Sequence, residues 1–157
     1  MRNWILWSLL VSCASLICSC SSVSDAVDVR EFHLKETHRV NRDNPVVRAE
    51  QQKRLRGAVS RQEQLDRLGQ YYSIVWSQPL GSDEPIRVVF HYQREASGHE
   101  RLARVQEFAA GSGVSQCEFV FAGEDYRKNG RVLCWKVEVF AGGEVLGEVE
   151  SYLWVKN

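Results

Sequence analysis

Pro85-Ile86-Arg87-Val88-Val89-Phe90-His91-Tyr92-Gln93 decides the fold class of this chain. On an extended backbone Ile86, Val88, Phe90 and Tyr92 fall on one side and Arg87, Val89, His91 and Gln93 on the other, the period of two that a half-buried strand requires. The same texture opens at Tyr71-Tyr72-Ser73-Ile74-Val75-Trp76. It continues in β-branched and aromatic runs near 101–108, 117–122, 131–140 and 145–154. Six or seven strands within about 90 residues predict a mainly β fold, an antiparallel β-sandwich over 70–157.

The last hairpin can be argued to its register. A two-residue Gly142-Gly143 turn sets Trp135 opposite Glu150 and Val137 opposite Glu148, which turns carboxylates toward the core. A three-residue loop, Ala141-Gly142-Gly143, instead pairs Trp135 with Val149, Val139 with Val145 and Lys136 with Glu148, and is the expected arrangement. Leu133, Trp135, Val137 and Val139 then face inward and Cys134 outward. Phe119 and Phe121 face inward and carry Cys117 with them, so alternation argues against a Cys117–Cys134 disulfide.

Ahead of the strands, residues 29–69 read as a helical extension, with a short extended piece at Val29–His33. Asp43-Asn44-Pro45 supplies an Asx N-cap and a proline at the first helical position, so a helix is expected from Pro45 to Arg56 with Glu50 and Arg54 paired. Ser60-Arg61-Gln62-Glu63 has the spacing of a capping box and starts a second helix ending at Gly69. Val47, Leu55, Val59, Leu65 and Leu68 are too sparse for an independent bundle, so these helices must lean on something else.

The first twenty residues carry a different message. A basic head, Met1-Arg2, precedes an apolar run from Trp4 to Ile17 and then Cys18-Ser19-Cys20. As a helix that run spans about 21 Å, short of the roughly 30 Å hydrocarbon core, and it has the form of an export signal. Ile17-Cys18-Ser19-Cys20 resembles the lipobox of bacterial lipoproteins. That resemblance implies removal of residues 1–19 and lipid attachment at Cys20, with palmitate among the acyl chains and residues 20–28 as a lipidated tether. Leu10-Val11-Ser12-Cys13 is a rival site that leaves a signal of only twelve residues. Ser21 after the acceptor implies, by the same resemblance, delivery to the outer membrane in a cell envelope with two membranes.

Composition narrows the function classes. Twenty Lys/Arg balance twenty Asp/Glu in the whole chain, so no nucleic-acid footprint shows. Residues 28–67 hold ten basic against seven acidic side chains and residues 68–157 nine against twelve, a mild asymmetry that suits solvated faces. With four scattered histidines and no C-x-x-C, neither a metal nor another cofactor is expected.

In size and strand count, residues 70–155 are similar to immunoglobulin and fibronectin type III sandwiches, a likeness that implies fold and not function. Hydrolase chemistry would call on Ser97 or Cys117 with His91 or His99, yet no nucleophile elbow or cysteine-protease signature surrounds them, so no catalytic residue is assigned. Glu124 and Asp125 lie in a charged connection, 123–130, expected to be a solvated loop closing on Asn129-Gly130. Gly111-Ser112-Gly113 lacks a phosphate-loop pattern and reads as a strand connection. Tyr71, Tyr72, Trp76, Tyr152 and Trp154 could build a platform for sugar rings or a partner protein, although core and edge packing explains them more simply. The expectation is a membrane-tethered, non-catalytic envelope lipoprotein that binds or supports an envelope protein or glycan, with a carbohydrate-binding module and then an envelope hydrolase as alternatives.

Overall fold

The computed structural model describes residues 26–36, 44–78, 83–110 and 114–154. The expected signal segment, Cys13, Cys20, the expected tether up to residue 25 and the 111–113 connection lie outside these residues. Among the described residues, seven strands form two antiparallel sheets: β1 Val27–Leu34, β2 Gly69–Trp76 and β5 Gln116–Ala122 in the order β1-β2-β5, and β3 Ile86–Arg94, β4 Leu102–Phe108, β6 Val132–Ala141 and β7 Glu144–Glu150 in the order β4-β3-β6-β7. The fold is therefore mainly β and a sandwich, as the alternation demanded. Its fourth strand lies beside β3 in the larger sheet, whereas constant-type immunoglobulin domains place it in the other sheet.

Ile86, Val88, Phe90 and Tyr92 face the interior as expected. Phe90 is the centre of the core, with its ring 4.8 Å from Tyr72, 5.2 Å from Phe119 and 5.6 Å from Phe121. One edge of the sandwich is closed by side chains. Arg104 and Gln106, on the inward face of β4, donate to the carbonyls of Val120 (2.8 Å) and Glu118 (2.9 Å) on β5, using acceptors that an edge strand otherwise leaves open.

The N-terminal segment departs from expectation. β1 begins at Val27, inside the expected tether, and pairs along its length with β2 from Val27↔Trp76 to Leu34↔Gly69, so residues 27–34 belong to the sandwich and not to a helical extension. Two helices do follow. In α1, Pro45–Leu55, Asn44 caps the N–H groups of Val46 (3.0 Å) and Val47 (3.3 Å). In α2, Arg61–Asp66, the Ser60/Glu63 capping box is complete. Neither buries an apolar side chain. What α1 leans on is polar: Arg54 bonds Glu50 within the helix (2.7 Å), reaches Glu118 on β5 (2.7 Å) and lies over the Tyr71 ring. α2 stops at Asp66, short of Gly69, because Gly69 opens β2 against Ala122.

The hairpin register is neither of the two considered. Gly142-Gly143 is a two-residue turn, with φ of 57° and 101° and Ala141 opposite Glu144, and the ladder then skips a residue: Phe140 pairs with Val145 but Val139 with Gly147. The bulged residue is Leu146. It places Val137 opposite Val149 and Glu138 opposite Glu148, which keeps the carboxylates out of the core without the longer loop. A second irregularity overturns the inward placement of Leu133. Gln93 pairs with Cys134 and Arg94 with Val132, leaving Leu133 as the extra residue, 44 % exposed, while Val132 is buried in its stead. Trp135, Val137 and Val139 do face inward.

Candidate functional site

Cys20 and Cys13 lie outside the described residues, whereas the other side chains singled out by sequence can be placed. His91, on the outer face of β3, places Nε2 2.8 Å from Glu138 Oε2 on β6, and Lys136 bridges Glu138 (3.0 Å) to Glu148 on β7 (2.8 Å). The Lys136–Glu148 pair forms as expected but diagonally, since Lys136 lies opposite Glu150. Burial pushes the Glu138 carboxyl up, but the bonds from Lys136 and His91 outweigh it and hold the group below its ordinary range. The Trp154 ring lies 6.4 Å from His91, with Arg101 over its other neighbourhood at 4.8 Å from the centroid. This is a histidine–carboxylate pair set in an ionic ladder across three strands.

Neither nucleophile candidate among the described residues, Ser97 or Cys117, joins it. Ser97 sits in the 3-10 turn Glu95–Ser97, where its hydroxyl accepts from the Arg94 N–H (2.9 Å) and donates within the turn. His99 contributes its carbonyl to Gln93, 3.1 Å away. Cys117, on β5 in the other sheet, packs against the core, and burial, reinforced by Glu118, pushes its thiol up to about 12. Such a thiol stays protonated at neutral pH and is a poor nucleophile. Cys117 and Cys134 are both free thiols, and Cys134 donates to Gln93 Oε1 at 3.1 Å.

Glu124 and Asp125 are not in a solvated loop. They lie in the first turn of α3, Gly123–Asn129, which closes the end of the sandwich. Glu124 is exposed, whereas Asp125 receives both oxygens' worth of Arg94 Nη1 (2.9 and 3.0 Å), Arg104 (3.2 Å) and Asn129 (2.8 Å). Two guanidiniums on one carboxylate leave it neutralised, a structural hub and not an acid–base pair. Sequence reasoning missed it because Arg94, 3 % exposed, lies 31 residues from its partner; the signal was an arginine at the end of an inward-facing run.

The aromatics divide. Tyr72 and Trp76 lie in the core, and Tyr71, on the opposite face of β2, is buried beneath Arg54 of α1, so β2 offers no platform. Tyr152 is fully exposed in the turn after β7, and Trp154 folds onto the outer face of the larger sheet. A second unforeseen cluster joins the sheets at one end: the Glu31 carboxylate accepts from Gln70 (3.1 Å) and from the Trp135 indole (3.4 Å), and His33 Nε2 meets the Tyr126 hydroxyl at 2.7 Å. Burial, then Glu31, raises the Tyr72 phenol pKa.

The chain matches no family model, no curated protein and no solved structure.

Among the described residues no group of three or more His, Cys, Asp and Glu side chains could hold a metal ion, and no helix is long and apolar enough to cross a membrane. What the described surface offers is an ionic face on the larger sheet and an exposed Tyr152-Leu153 turn beside it.

Proposed function

We propose that this protein is a lipid-anchored protein of the bacterial cell envelope whose sandwich is a non-catalytic binding or structural module. The observation that carries the proposal is the sequence Ile17-Cys18-Ser19-Cys20 after an apolar run too short for a permanent span, followed within seven residues by the first strand of a folded domain. The lipid supplies location: each buried methylene contributes about 0.8 kcal/mol, so several acyl chains on Cys20 hold the chain on a membrane, the outer one where there are two.

The non-catalytic half is supported by the side chains that chemistry would need. Ser97 is bound into its turn, Cys117 is a protonated core thiol, and His91 is engaged by Glu138 on the outer face of the larger sheet. Metabolic labelling with palmitate followed by fractionation tests the anchor. Cys20→Ala abolishes labelling and releases the protein from membranes; labelling that survives Cys20→Ala and disappears with Cys13→Ala moves the acceptor to the rival site.

A further inference from the structure

We infer that one end of the sandwich lies on the bilayer side and the opposite end stands away from it, an inference that rests on lipidation at Cys20. Strand direction defines the two ends. At the first, Val27 opens β1 opposite Trp76, Ser77 donates to the Ala26 carbonyl (2.9 Å), Trp76 N–H to Ser115 (2.9 Å), and Gly142 to Pro85 (3.1 Å). The Trp76 and Phe108 rings, 5.5 Å apart, join the two sheets there, and Ile86, Ala141 and Glu144 complete it. At the other end lie Leu34 and Gly69, α2, α3 with its Asp125 hub, the 3-10 turn and Glu100.

The anchor joins the first end by a short leash. Seven Cα steps separate Cys20 from Val27, which reach at most about 25 Å when fully drawn out. Val27 to Leu34 are likewise seven Cα steps, about 23 Å along β1, and α2 and α3 are added at the far end of the sheets. A leash about as long as that strand keeps the Val27 end within about 25 Å of the headgroups, whereas the α3 end reaches them only when the domain tips onto its side or inverts. Asp83, Glu84 and Glu144, all exposed at the first end, give no attraction to anionic headgroups, so this end stands near the membrane by tethering and not by adhesion. The helices and the Asp125 hub are thereby turned toward the space beyond the membrane.

Energy transfer from the domain to headgroup-labelled lipid tests this. Full-length lipoprotein carrying Glu144→Cys, Glu100→Cys or Lys128→Cys is purified from membranes, labelled at neutral pH and reconstituted into phosphatidylcholine vesicles. Transfer from position 144 is expected to exceed that from 100 and from 128 at least about twofold, given the ~23 Å between the ends. Inserting roughly twenty Gly/Ser residues after Ser22 is expected to bring that ratio toward one, because reach grows with the square root of leash length. Equal or reversed transfer in the natural chain overturns the orientation, and a ratio untouched by the insertion overturns the leash as its cause. Failure of the protein to float with vesicles, together with an unacylated Cys20, overturns the anchor itself and is read separately from either.

Discussion

The carboxamide of Gln70 in β2 closes on both backbone groups of Val132 in β6: Oε1 accepts from the Val132 N–H at 2.7 Å and Nε2 donates to its carbonyl at 3.2 Å. Gln70 is 4 % exposed, and Val132 sits beside the bulged Leu133, where the ladder is interrupted. A primary amide has the donor and acceptor of a peptide unit, so it substitutes across the sheets for a missing strand partner.

Gln70→Leu keeps the volume and removes both bonds. Two buried backbone groups are left unpaired, so the loss of unfolding free energy is expected to be about 2 kcal/mol. Urea denaturation measures it; a change below about 0.5 kcal/mol would mean that water takes the amide's place.

Asp125→Asn leaves the Arg94 guanidinium, 4 % exposed, without its countercharge. Because Asp125 is itself partly exposed, the loss is expected at the lower end of the range for an orphaned buried charge, about 3 kcal/mol. The pH dependence has a definite sign. Burial pushes the Asp125 carboxyl up, but Arg94, Asn129 and Arg104 overcome this and hold it below its ordinary value. Its stabilisation is therefore complete above the unfolded-state pKa of about 3.9 and disappears as pH falls through the lower folded value. In acid titrations followed by circular dichroism, the variant is expected to lose less stability below about pH 4 than the natural protein.

Gly69→Ala tests a close approach. A Cβ there would stand 2.1 Å from the Phe121 carbonyl oxygen, on a backbone with φ +153°. Something must shift at the β2–β5 ladder, with an expected loss of about 3 kcal/mol or more. Gly57→Ala is the control: φ is +83° but nothing lies within 4 Å, so only the backbone penalty of about 1–2 kcal/mol applies. Thermal melts that rank the two alike would contradict the steric account.

Cys117 is expected to resist thiol reagents in the folded protein at pH 8 and to react on unfolding, since only the unfolded chain has a thiol of ordinary acidity. Its raised pKa has the opposite sign from that of Asp125. The contribution to stability is fully present below the ordinary value of 9.0 and is lost as pH rises toward about 12. Rapid modification without unfolding would show that the β5 edge opens locally.

The sequence by itself determined what depends on near neighbours in the chain. Alternation set the strands and the inward faces of β3 and β5, and two local side-chain bonds started α1 at Asn44 and α2 at Ser60. The lipobox resemblance likewise needs only consecutive residues. Tertiary structure decided whatever required two distant segments to compete for one place. Val27–Leu34 became a strand because β2 offered it an edge, and the inserted Leu146 and Leu133 reset registers that continuous alternation would have carried past them. The 123–130 connection became α3 because Asp125 met two arginines brought from β3 and β4, a pairing that no spacing in the chain records. Periodicity is a property of one segment, whereas a bulge, a cross-sheet amide and a buried ion pair are settled only when two segments are packed together.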